Sequence, residues 1–159
     1  NYVECHDNST LYDKMAEDLK DKTHIKTYQM FTNALISISE GMIFYHAGQE
    51  MFRSKQGVEN SYRSPDSINA LTYDLGEHID IFKAFITYRK QTHNQSTTYE
   101  ICSDGILIHR GNDVIIVKTT WEPYTYEDDV RKLYVSTRPV TVHGHQYIMS
   151  DVGVYIFTK

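Results

Sequence analysis

Asn1-Tyr-Val-Glu-Cys-His-Asp-Asn8 and Gly41-Met-Ile-Phe-Tyr-His-Ala-Gly-Gln-Glu50 decide how the chain is read. Each is a short, partly β-branched or apolar run that opens into polar residues, the pattern of a strand ending in a loop. It predicts strands over 2–5 and 42–45. The second run is apolar throughout, as in a parallel strand covered on both faces. His6 and Asp7 then stand at the carboxyl end of the first strand, and Ala47-Gly48 lets the backbone turn after the second. In parallel α/β architectures the loops at strand ends converge on one mouth, where catalytic side chains gather. Two such units in succession predict a shared site.

The intervening sequence agrees with that reading. Ser9 and Thr10 can cap a helix whose face is Leu11, Met15 and Leu19, running through Asp21. A second, better packed helix is predicted from Thr27 to Glu40, with Gly41 where it stops. The stretch from Gln49 to Leu75, with Gly57, Pro65 and many Asn, Ser and Asp, reads as a long loop, and loops of this length in compact domains are usually functional. Helical spacing returns from Glu77 to Thr92, with Lys90 suited to the negative end of the helix.

After His93-Asn-Gln-Ser96 the apolar period changes from helical to alternating, so a β domain begins there. Strands are predicted over 98–102, 106–110, 114–119, 133–136, 140–148 and 154–158, with turn pairs at Asp104-Gly105 and Gly111-Asn112. An antiparallel β-sandwich is the natural architecture for them. The expected division is therefore 1–96 and 97–159.

The chain has 159 residues and a net charge of −5. Neutralising phosphates calls for a basic stripe, so this acidic balance argues against a nucleic-acid partner. No apolar run approaches the roughly 20 residues needed to span a bilayer, which argues against a membrane partner. Cys5 and Cys102 are too few for a disulfide framework and lack metal-binding spacing, so two free thiols and no metal ligands are expected. His143 and His145 share one face of a predicted strand, but no third ligand stands near them, and ordinary surface histidines are expected. Trp121, Tyr124 and Tyr126 suit either a sugar-stacking patch or the seal of a small core, and the core is favoured.

Tyr2-Val-Glu-Cys-His-Asp-Asn8 with Thr10-Leu-Tyr-Asp13, then His46-Ala-Gly-Gln-Glu-Met-Phe-Arg-Ser-Lys55 and Asn60-Ser-Tyr-Arg-Ser-Pro-Asp-Ser-Ile-Asn69, resembles type I pullulanase of the alpha-amylase clan. The motif-level resemblance runs from residue 1 to about residue 74. It implies the last two strand-helix units of a (β/α)8 barrel followed by a C-terminal antiparallel β-sandwich. A complete barrel needs about 250 residues, so the chain is expected to be the C-terminal part of a longer protein. The implied activity is hydrolysis of α-1,6-glucosidic linkages with retention, on branched α-glucans such as pullulan, amylopectin, glycogen or limit dextrins. No cofactor is implied, although calcium can belong to the rest of such a protein.

Retaining glycosidases use two carboxylates about 5 Å apart, one as nucleophile and one as acid/base. The resemblance assigns both to upstream strands, so the chain alone is expected to be inactive. It makes Asp7 the third acid, which holds sugar hydroxyls and stabilises the positive charge of the transition state, while His6 donates a hydrogen bond to the same ring. Asp66, Asn60 and Arg53 are the implied substrate-binding residues of the long loop. Cys5 stands where Ser or Lys is more usual, and Ala70 where many relatives carry a long cationic side chain. His46, Gln49 and Glu50 are expected to pack and hydrogen-bond beneath the site rather than within it. Two other readings stay open: a non-catalytic carbohydrate-binding or interaction module, and a fragment of an isoamylase or branching enzyme.

Overall fold

A computed structural model describes residues 1–73 and 75–159. Asp74, at the end of the stretch that carries the resemblance, lies outside the described residues. The chain divides into two compact units, Asn1–Lys83 and Ala84–Lys159. The first is built from helices and loops and the second from antiparallel sheet, with α4 (Glu77–Thr92) running across the division.

In the first unit, α1 (Leu11–Asp18) starts where Thr10 caps it, its side chain accepting from Asp13 N–H. The cap satisfies a backbone donor that the first helical turn leaves unpaired. α2 (Ile25–Ile38) carries the broader stripe and buries Ile25, Ala34, Ile36 and Ile38. It ends two residues before the expected stop, where Ser39 turns extended and its N–H bonds back to Leu35 and Ile36.

The segments expected as strands over 2–5 and 42–45 are a correction. Both are extended, yet neither forms a ladder. Among the described residues their backbones bond to each other only at Asn1, whose ammonium donates to Met42 O at 2.7 Å and whose carbonyl accepts from Phe44 N–H at 3.0 Å. A strand needs a repeating ladder, and one pair of bonds at one residue does not propagate it. Nor is the second run covered on both faces, since Met42 is 89% exposed and Tyr2 and Phe44 are exposed with it. The long loop contains two 3₁₀ turns, Gln49–Met51 and Ser61–Arg63, and the single helical turn α3 (Asp66–Asn69).

In the second unit one sheet has the order β1 (Thr97–Cys102), β2 (Gly105–Arg110), β3 (Asp113–Lys118), β8 (Gly153–Thr158), β5 (Lys132–Ser136). The other has the order β4 (Tyr124–Glu127), β7 (Gln146–Met149), β6 (Thr141–His143). All pairings are antiparallel. Alternate residues of β3 and β8 (Val114, Ile116, Tyr155, Phe157) share a core with Tyr147 and Met149 of β7. Each such side chain contributes about 1.5–3 kcal/mol on burial. Tyr126 and Tyr147 pack their rings on Phe157 at 4.7 and 4.9 Å between centroids.

The stretch 140–148 is not one strand but the hairpin β6–β7, which turns at Gly144 and His145. Gly144 takes φ +62°, the conformation that a tight two-residue loop requires and a side chain resists. His143 and His145 therefore do not share a strand face, and both are exposed. β4 was not foreseen: its four residues alternate half-buried and exposed, with Tyr124 and Tyr126 turned to the core and Trp121 before it 41% exposed. Among the described residues no helix is long and apolar enough to cross a membrane, and no group of three metal-ligating side chains occurs.

Candidate functional site

The ends of the two extended segments of the first unit border a cleft of about 280 Å³, lined by His6, Asp7, His46, Arg53, Lys55, Asn60, Ser61, Tyr62 and Asn69. Of the residues expected in a site, His6, Asp7, Asn60 and Arg53 come together here. Asp66 opens α3 with its side chain exposed and is not among the lining residues.

Buried polar side chains support the unit that carries the cleft. Glu4, 1% exposed, accepts from Leu11 N–H at the head of α1 and pairs with His46 Nδ1 at 2.9 Å, so one carboxylate ties the first segment both to α1 and to the end of the second segment. Burial raises the Glu4 pKa, and it outweighs the opposing pull of Leu11 N–H, His46 and Arg53. Beside it, Gln49 Nε2 donates to Asn33 Oδ1 at 2.6 Å, and Gln49 O accepts from Gln29 Nε2 at 2.8 Å. Glu50 accepts from Gly48 N–H at 3.1 Å. His46, expected beneath the site, instead lines the cleft and is joined to buried Glu4, while Gln49 and Glu50, which are not among the lining residues, hold backbone and neighbouring amides.

The turn that carries Asp7 is fastened from the long loop. Lys55 Nζ donates to His6 O at 3.1 Å and Asn8 O at 2.7 Å, and Asn60 N–H donates to Asp7 O at 2.8 Å. Three successive carbonyls of the turn are therefore held by two loop residues about fifty positions away. Lys55 is fixed in turn, because the Asp13 carboxylate accepts its backbone N–H at 2.7 Å and also the Ser54 hydroxyl. Burial pushes the Asp13 pKa up, but the bonds from Ser54, Lys55, Gly57 and Thr10 outweigh it and hold the carboxyl below its usual range.

The Asp7 side chain stays open: its carboxylate lies 3.1 Å from His6 Nε2, and the two side chains are 65% and 77% exposed. A fixed backbone with a free carboxylate suits a group that meets a ligand. Arg53 is spent differently. Its guanidinium donates to Asn69 O at 2.8 Å and Ala47 O at 3.3 Å, clamping both ends of the loop. Asn69 completes the clamp by donating to Ser61 O at 2.7 Å and Ser64 O at 2.9 Å. Asn60 contributes through its backbone, which adopts φ +48° to reach Asp7. Tyr62, 70% exposed at the rim, lies under the Arg63 guanidinium at 5.1 Å.

Lys55, Glu4, Asn69 and Tyr62 were not singled out from the sequence. All four lie inside the motif strings, but nothing local marks Lys55 or Glu4 as buried.

No protein-family model matches the chain. Over 96 residues it is 44% identical to a pullulanase of Bacillus subtilis (strain 168), a match covering 57% of this chain and 13% of that protein. Over 83 residues it is 37% identical to pullulanase 1, chloroplastic, of Arabidopsis thaliana, covering 49% of this chain and 8% of that protein. In fold it is similar to the pullulanase of Anoxybacillus sp. LM18-11, crystallised with maltotetraose, with a TM-score of 0.81 at 25% identity over 99% of this chain and 27% of that one. The same pullulanase with maltotriose gives a TM-score of 0.80 at 25% identity, over 99% of this chain and 26% of that one. The chain thus spans about an eighth or less of the length of these curated relatives. It is related to a short segment of the pullulanases, matching them in sequence over part of its length and in fold over nearly all of it.

Proposed function

We propose that the chain is the C-terminal part of a type I pullulanase, with residues 1–96 forming the last two strand-helix units of a (β/α)8 barrel and 97–159 a terminal β-sandwich. The whole protein then hydrolyses α-1,6-glucosidic linkages of branched α-glucans with retention. On this reading the exposed run at Met42–Tyr45 is a barrel strand that the rest of the barrel covers. The observation that carries the proposal is the Asp7 turn, whose backbone is held by Lys55 and Asn60 while its carboxylate faces the cleft beside His6.

In the proposed mechanism Asp7 accepts hydrogen bonds from hydroxyls of the sugar at the scissile bond, and its grip strengthens as positive charge grows on the ring. His6 donates to the same sugar. Asn60 and Arg53 keep the loop in register with the turn, and Asp66 reaches glucose from outside the cleft wall. The nucleophile and the acid/base come from elsewhere in the whole protein, as the two-carboxylate chemistry requires.

The test is pullulan hydrolysis. The isolated chain releases no reducing ends, and the protein expressed from its whole coding sequence does. Asp7→Asn in the whole protein lowers kcat by about 10²–10³, the range for removing one group that stabilises transition-state charge. Hydrolysis by the isolated chain, abolished by Asp7→Asn, refutes the proposed division of labour.

A further inference from the structure

We propose that Lys55 is a positioning residue for Asp7: its buried ammonium bridges the two carbonyls that flank Asp7 and sets where the carboxylate projects. The inference rests on the reading of Asp7 as a sugar-holding group and adds that the Lys55 ammonium, rather than the turn alone, sets the direction of that group.

Lys55 is 1% exposed, and among the described residues it makes no ion pair. Burying an ammonium without a carboxylate is costly, and a methionine would fill similar space without that cost. What the ammonium gains is a bridge, with Nζ donating to His6 O at 3.1 Å and to Asn8 O at 2.7 Å. Asp7 lies between those carbonyls, and its own carbonyl takes Asn60 N–H at 2.8 Å. Remove the bridge and the turn keeps one tie to the loop instead of three. Among the described residues the Asp7 carboxylate pairs with His6 alone, itself largely exposed, which is no comparable anchor. The direction of the carboxylate is therefore inherited from the backbone, which closes on itself through Asn8 N–H to Cys5 O at 3.3 Å and takes two of its three ties to the long loop from Lys55.

The test has two readouts: amide hydrogen exchange on the isotopically labelled chain, and titration of the whole protein with maltotriose. In Lys55→Met, Asn60 N–H exchanges about tenfold faster or more, while amides of α2 and of β3 and β8 keep their rates; Lys55→Arg retains most of the protection because charge and donors persist. Maltotriose binding weakens by about tenfold or more in Lys55→Met, as expected when a contact group is misplaced by a fraction of an ångström. Unchanged Asn60 exchange in Lys55→Met overturns the proposal, and so does faster exchange spread evenly through Asn1–Lys83, which marks a general structural role. Should Lys55→Met unfold that unit, Lys55→Gln decides by the same comparison of Asn60 with α2. If Asp7→Asn in the whole protein leaves maltotriose affinity unchanged, the reading of Asp7 fails, and Asn60 exchange still decides the role of Lys55.

Discussion

Replacing Glu4 separates two effects that act in opposite directions on the buried carboxylate behind His46. Its carboxylate, 1% exposed, satisfies Leu11 N–H and pairs with His46. In Glu4→Ala the buried Leu11 N–H loses its acceptor, at a cost of about 1–3 kcal/mol. The vacated side-chain space adds about 1 kcal/mol or more. Against this stands the desolvation that raises the Glu4 pKa, since ionising the group in the fold is less favourable than in the unfolded chain. The net expectation is a loss of about 2–3 kcal/mol, below the sum of the parts. Glu4→Gln keeps an acceptor for Leu11 and a donor for the His46 ring without the charge, and is expected within about 1 kcal/mol of the unaltered chain.

The pH dependence fixes the sign. A carboxyl raised in the fold binds protons more tightly there than in the unfolded chain, so its contribution is present below the ordinary glutamate value of about 4.3 and is lost as pH rises through the folded value. The unaltered chain should therefore lose stability relative to Glu4→Gln across that interval. Urea unfolding followed on amide resonances of Asn1–Lys83, at several pH values from 4 to 8, measures both quantities. A Glu4→Ala variant within about 0.5 kcal/mol of the unaltered chain refutes this account of Glu4. So does a stability difference from Glu4→Gln that moves the other way with pH.

Two further outcomes concern the sheet unit. Gly105 has φ +149°, and a Cβ there would lie 1.9 Å from Val117 O, so Gly105→Ala must shift the β2–β3 pairing; a loss of about 3 kcal/mol or more in thermal or urea unfolding is expected. Asp128 accepts from Val130 N–H, Arg131 N–H, Tyr126 O–H and the Arg131 guanidinium. Burial pushes its pKa up, but those bonds outweigh it and leave the carboxyl well below the usual range. A depressed carboxyl stabilises above its unfolded value, about 3.9, and loses that contribution as pH falls through the folded value. Acid unfolding of Asp128→Asn should lack that part of the slope, and an identical acid profile contradicts the assignment.

The helices and most strands were legible because their signals are local. Thr10 caps α1 as its hydroxyl predicts, and α4 runs over Glu77–Thr92 as its period predicts. The Gly111-Asn112 pair forms the β2–β3 loop, closed by Arg110 opposite Asp113. The errors have physical causes too. The single strand predicted over 140–148 ignored what Gly144 permits, and β4 was missed because Tyr124 and Tyr126 make too short an alternation to stand out. The extended segments 2–5 and 42–45 have strand composition, but composition does not supply a ladder.

The motif strings, the kinship with pullulanases that they imply, and the change from helical to alternating period after Ser96 can all be read along the chain. The folded chain, in contrast, is what brings His6, Asp7, Arg53 and Asn60 to line one cleft and leaves Asp66 out of its lining. It also decided that Lys55 and Glu4 lie beneath the surface as ties, and that Arg53 and Asn69 serve as clamps. The physical reason is range: a helix period or a turn glycine acts through neighbours a few positions away. The bonds from Lys55 to His6 and Asn8 and from Asn60 to Asp7 join residues about fifty positions apart, and their formation depends on where α1 and α2 bring the chain back.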